Sequence, residues 1–141
     1  MKIFLIILSA LILLIGGISI SSMVSGSKTD NKIYKVIDWS GITPPWWMDR
    51  GELTTKSLEE NKVEIFVEYN LTKGRGTKDM FAKWIKEDIK VTNALQTAIK
   101  KEGTEDGSMR YEVSPQMGAD YAEMIINENA GTLAFKVIGT K

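Results

Sequence analysis

The stretch Lys73-Gly74-Arg75-Gly76-Thr77-Lys78 has the residue types best suited to hold a charged ligand. Its glycines allow a tight turn, and the helix predicted to follow offers free N–H groups and the positive end of its dipole. Arg75, Gly76, Thr77 and Lys78 are therefore a candidate anion site. The order is neither Gly-x-x-x-x-Gly-Lys-Ser/Thr nor Gly-x-Gly-x-x-Gly, and a plain strand-to-helix turn is the simpler reading. A second unusual stretch is Pro44-Pro45-Trp46-Trp47-Met48. Adjacent indoles and a methionine can close a hydrophobic core, each indole N–H finding a polar partner. They can also form a contact for lipid headgroups or for another subunit, and Trp46, Trp47 and Met48 are the contact candidates. Exposure distinguishes the two.

Other chemistry is thin. Glu64 and Glu68 fall on the same face of a predicted strand, about 13 Å apart, too far for the paired carboxylates of a glycosidase, and they read as a solvated face. Ser25-Gly26-Ser27-Lys28 has the Ser-x-x-Lys spacing of serine acyl-enzymes without the companion motifs. Asn70-Leu71-Thr72 is a formal glycosylation acceptor at a strand end. Asp106-Gly107 lacks the alternating carboxylates of a calcium loop. The chain holds neither cysteine nor histidine. That removes disulfides, thiol chemistry, thiolate or imidazole metal sites and every triad with a histidine base. No cofactor, metal or catalytic residue is implied. Lys and Arg number 18 and Asp and Glu 18, so no strong field gathers nucleic acid.

The elements that would position these residues follow from periodicity. Lys32 to Asp38 is predicted as a short strand and Ser40 to Asp49 as a loop around Pro44 and Pro45. Val63 to Leu71 alternates cleanly and is the strongest strand. Thr77 to Lys101 is predicted as the main helix, capped by Thr77, with Phe81, Trp84, Ile85, Ile89, Leu95, Ala98 and Ile99 inward. Met109 to Val113 reads as a strand. Ser114-Pro115 is expected to open a second helix with Met117, Tyr121, Met124 and Ile125 on one face, and Thr132 to Ile138 closes as a strand. The expected fold is α/β: a small mixed sheet with one long and one short helix packed on it, preceded by an N-terminal hydrophobic helix.

That leading segment decides the compartment. Lys2, the apolar run Ile3 to Ile15 and the small residues around Gly16-Gly17 are the parts of an export signal, with cleavage acceptable after Gly26 or Ser27. Read as uncleaved, a helix from Ile3 to Val24 covers about 33 Å, enough for a bilayer core of about 30 Å. Both readings export the chain. Residues 1–27 are thus a signal peptide or membrane anchor, 28–43 a linker and first strand, and 44–141 a small α/β domain.

Pro45-Trp46, the strand Val63 to Leu71, the turn Gly74-Arg75-Gly76 and the helix bearing Ala82, Ala94 and Ala98 together resemble the LPP-twenty type of bacterial surface lipoprotein. The resemblance covers Pro44 to Lys101 and implies an envelope-associated, non-enzymatic α/β protein, part of a surface or flagellar assembly. The lipobox cysteine of that family is missing, so acylation is out and an uncleaved helix would take its place. The expected function is an exported binding or assembly module, anchored in the inner membrane facing the periplasm, or soluble there if cleaved. Its partners would be the membrane, an envelope protein or a second copy. The alternatives are a small periplasmic enzyme using carboxylates with Lys or Arg, an anion-binding protein, or an accessory subunit without a ligand.

Overall fold

The computed structural model describes residues 22–72 and 75–141, within which Tyr34–Lys141 form one compact unit. The apolar run from Ile3 and the signal or anchor reading built on it lie outside the described residues, as do Lys73 and Gly74. Among the described residues no helix is long and apolar enough to cross a membrane.

Helix α1 spans Ser22–Ser40. The expected linker and the strand Lys32 to Asp38 are therefore helical, and the burial pattern gives the reason. Val36, Trp39 and Ser40 are buried, an i, i+3, i+4 spacing that one helix face satisfies and an alternating strand does not. The helix stops at Gly41, whose φ of +75° suits the left-handed turn that closes a helix. Its N–H donates to the Ile37 carbonyl at 2.8 Å.

A loop through the two prolines leads into strand β1 (Met48–Leu58), which pairs with β2 (Lys62–Leu71). The three residues Glu59, Glu60 and Asn61 connect the strands, with Glu60 and Asn61 at positive φ and the Lys62 N–H donating to the Glu59 carbonyl at 3.3 Å. Two helices follow, α2 (Lys78–Glu87) and α3 (Ile89–Gln96). The single helix expected over Thr77 to Lys101 is broken at Asp88, whose backbone is extended while its side chain accepts from the Val91 N–H at 3.0 Å. Aspartate is among the best N-caps, worth about 1 kcal/mol, and here it starts a new helix where periodicity suggested continuity. Ile89 and Ile99, assigned to the inner face of that longer helix, are exposed.

Four strands complete the sheet: β3 (Lys100–Gly103), β4 (Met109–Val113), β5 (Tyr121–Asn127) and β6 (Thr132–Thr140). The helix expected after Ser114-Pro115 is a loop followed by β5, in which Ala122, Met124 and Ile126 alternate inward and are buried. Tyr121 to Ile126 satisfies a period of two as well as one of 3.6, and its adjacent β-branched Ile125 and Ile126 favour the strand. The six strands run in the order β1-β2-β6-β5-β4-β3. Every neighbouring pair is antiparallel, where a mixed sheet was expected.

Register divides the sheet into two faces. Ile65, Val67 and Tyr69 of β2 oppose Val137, Phe135 and Leu133 of β6, and those oppose Ala122, Met124 and Ile126 of β5. All nine are buried, together with Phe81, Ile85 and Val91 from the helices. The α1 end joins this face through Trp39, whose ring lies where a side chain at Gly139 would otherwise go. The opposite face carries Glu64, Phe66 and Glu68, then Lys136, then Tyr121 and Glu123, then Arg110 and Glu112, then Lys100 and Glu102.

Candidate functional site

The Trp-Trp-Met segment divides between surface and core. Trp46 is 81% exposed, whereas Trp47 and Met48 are buried at 9% and 4%. Trp47 lies against the backbone of Gly76, where an added Cβ would come within 2.6 Å of its ring. Trp47 and Met48 are thus core residues, and surface contact by this segment falls to Trp46.

The glycine turn is likewise occupied from within. Arg75 Nη2 reaches Asp49 Oδ1 at 2.5 Å, and the Thr72 hydroxyl donates to the other oxygen of the same carboxylate. Thr77 Oγ1 accepts from the Met80 N–H at 3.1 Å, which satisfies one of the free donors at the start of α2. Gly76 is held under Trp47. Of the four anion-site candidates, Lys78 remains an exposed cation beside a helix start that is already capped. Glu64 and Glu68 sit on the outer face of the sheet, as the alternation of β2 predicts.

The densest group of reactive side chains is one that sequence reasoning missed. A hollow of about 180 Å³ on the outer face of β3, β4 and β5 is lined by Lys100, Glu102, Arg110, Glu112, Tyr121 and Glu123. Antiparallel pairing aligns Lys100, Glu112 and Glu123 across neighbouring strands, and Glu102 with Arg110 beside them. The Glu123 side chain is only 5% exposed. A buried carboxylate needs partners, and it has two: the Tyr121 hydroxyl donates to Oε1 at 2.5 Å, and Arg110 Nε stands 3.5 Å from Oε2. Arg110 Nη1 is 3.6 Å from Glu102 Oε1, and Lys100 Nζ is 4.0 Å from the same oxygen. The buried Arg110 Nε makes no hydrogen bond with the described residues.

Burial pushes the Tyr121 phenol well above its ordinary value of 10.0, and its hydrogen bond to Glu123 and the charges of Glu123 and Glu112 push it further, against the opposing effect of Arg110. The phenol is therefore a hydrogen-bond donor over the ordinary pH range, not a base. Most of the cluster is paired internally: its buried carboxylate faces a tyrosine and an arginine, and Glu102 faces both cations, while Glu112 makes no ion pair among the described residues. No group of His, Cys, Asp and Glu among the described residues is arranged to hold a metal ion.

A pH dependence follows. A raised tyrosine favours the folded state while the phenol is protonated in both states, up to about pH 10, and that contribution is lost as pH climbs from there through the folded value. Tyr69 and Tyr111 are also raised, both mainly by burial, and act in the same direction. Urea midpoints measured from pH 8 to 11 are expected to fall above about pH 10, and less steeply in Tyr121→Phe than in the parent chain.

The signal for this cluster was present in the sequence as Lys100-x-Glu102, Arg110-x-Glu112 and Tyr121-x-Glu123. Reading Lys100 as the end of a helix and Tyr121 to Ile125 as part of another placed these pairs on unrelated surfaces.

Set beside known proteins, the chain matches no protein family, no curated protein and no solved structure.

Proposed function

We propose that this chain is an exported, envelope-associated protein whose domain from Tyr34 to Lys141 is a non-enzymatic binding or assembly module. The apolar run from Ile3 is its membrane tether, or a signal if it is cleaved. The resemblance to the LPP-twenty type supports the envelope location, although the long helix of that pattern is here the pair α2 and α3. The observation that carries the module reading is Trp46, 81% exposed between the buried Pro45 and Trp47. An indole has few side-chain torsions to lose when a partner covers it, here directly after two prolines, and aromatic anchors of this kind dominate many interfaces. The partner is an envelope protein, a second copy or the membrane surface.

Trp46→Ala is expected to change unfolding free energy by less than about 0.5 kcal/mol, because the side chain touches little of the domain. A photo-crosslinking residue placed at position 46 in living bacteria is expected to give a discrete adduct, and one at exposed Lys56 none. Adducts at Lys56 without any at 46 would remove Trp46 as the contact.

The second reading is a small periplasmic enzyme, favoured by the convergence of Glu102, Glu112 and Glu123 in one hollow. Pairing of Glu123 and Glu102 with Arg110 speaks for a binding or structural role instead, since a general base needs a free lone pair facing the substrate. Anion binding at Arg75, Gly76, Thr77 and Lys78 is the weaker alternative, because Arg75 is already committed to Asp49.

A further inference from the structure

A second concavity, of about 280 Å³, lies where the end of α1, one face of α3 and the end of β4 meet. Its polar wall is made by Lys90 and Asn93 of α3 and Thr97 at its C-terminal cap, by Ser114 and Gln116, and by Ser40 at the end of α1. Lys90, Asn93 and Thr97 fall at i, i+3 and i+7, so one helix face presents them together. No carboxylate lines this wall, whereas the hollows around Glu123, around Glu128 and around Glu87 and Asp88 each contain at least one. In a chain with as many acids as bases, a concavity whose one formal charge is a lysine favours an anion over a cation.

The wall also shows which groups are free for a ligand. Ser40 Oγ donates to the Val36 carbonyl at 2.7 Å and accepts from the Ile42 N–H at 3.2 Å. Thr97 Oγ1 donates to the Asn93 carbonyl at 2.7 Å, and Gln116 Nε2 to the Ser114 carbonyl at 3.1 Å. Those bonds fix the wall. The Lys90 ammonium and the Asn93 carboxamide are exposed and, among the described residues, uncommitted. Ile42 and Val113 supply apolar floor, and Ile89 and Met117, chain neighbours of Lys90 and Gln116, are 75% and 77% exposed. Met117 also holds a φ of 54°, an uncommon conformation for a residue other than glycine.

We infer that this concavity binds a small organic monocarboxylate carrying hydroxyl or amide groups, its carboxylate on Lys90 and a hydrogen-bonding substituent on Asn93. One cation matches one negative charge, so a multiply charged phosphate would be left poorly neutralised. The volume is near the lower end for ligand pockets, the size of a monosaccharide or an acylated amino acid.

The test uses the full chain in detergent, with saturation-transfer NMR and calorimetry. Glucuronate is compared with glucose, and N-acetylalanine with its amide. At least one acid is expected to bind more tightly than its uncharged counterpart, and Lys90→Glu to weaken that acid by about tenfold or more. Asn93→Leu should reduce discrimination between the acid and plain acetate. Both positions are exposed, so both variants are expected to keep the parent's unfolding midpoint. Whichever acid binds identifies the ligand as sugar-like or peptide-like. Failure of both acids at 10 mM, equal binding of acid and neutral control, or binding unchanged in Lys90→Glu overturns the site. Loss in Lys78→Glu alone overturns it too, moving the anion to the start of α2.

Discussion

Phe135→Ala is expected to lower the unfolding free energy by about 3–5 kcal/mol, the cost of emptying a large aromatic site that cannot collapse. Phe135 is fully buried on β6, paired in register with Val67 on one side and Met124 on the other. Tyr69 meets it edge-on, with ring centroids 6.2 Å apart and planes at 84°, a favoured aromatic geometry. For a domain whose total stability is of order 5–15 kcal/mol, this one change removes a large share. Urea denaturation at pH 7 reads it directly. A loss below about 1 kcal/mol would mean that the helices do not close over the centre of the sheet as described.

The second large effect is expected at Gly139, near the end of the same strand. A Cβ there would lie 2.7 Å from two atoms of the Trp39 ring and 2.9 Å from a third. Trp39 is 8% exposed, and the Gln116 N–H donates to its carbonyl at 2.8 Å, so the ring is buried and the backbone that carries it is held. Gly139→Val should therefore cost about 3 kcal/mol through overpacking. The mechanism is separable from loss of chain flexibility. In a Trp39→Ala background the clash is gone, and adding Gly139→Val should then cost much less than it does alone, a non-additivity that contact between the two positions predicts. Additive losses would mean that Trp39 does not seat α1 on β6.

Where sequence and structure agree, burial on one side of an element left a clean period. Strand β2 alternates because one face is core and the other half-wet, and its limits at Lys62 and Leu71 were legible to within a residue. The closing strand was legible for the same reason. Strand β1 was not, because an edge strand held mainly by backbone bonds to β2 needs few apolar side chains, and Met48, Leu53 and Leu58 are spread too widely to show a period. Asp88 misled in a different way: as a polar residue it fits the outer face of a long helix, and only the Val91 N–H it accepts reveals a cap. At Tyr121 to Ile125 two periods fitted the same residues, and the strand is settled by pairing with β4 and β6, which no local pattern contains. The candidate sites show the same limit. That Trp46 is exposed and Trp47 is not depends on Gly76, far along the chain, and the Glu123 cluster depends on strand order.

The proposed function rests on export of the domain and on its retention at the envelope through residues 1–27. The most direct measurement is intact mass combined with fractionation of the full chain expressed in a bacterial host. The full-length mass is expected in the membrane pellet, released by detergent and not by high salt, with Lys141 accessible to externally added protease only after the outer membrane is opened. A mass lacking residues 1–26 or 1–27 in the soluble periplasmic fraction would replace the tether by a cleaved signal while leaving export intact. Full-length protein in the cytoplasmic fraction, untouched by protease until the cells are lysed, would contradict both export and retention.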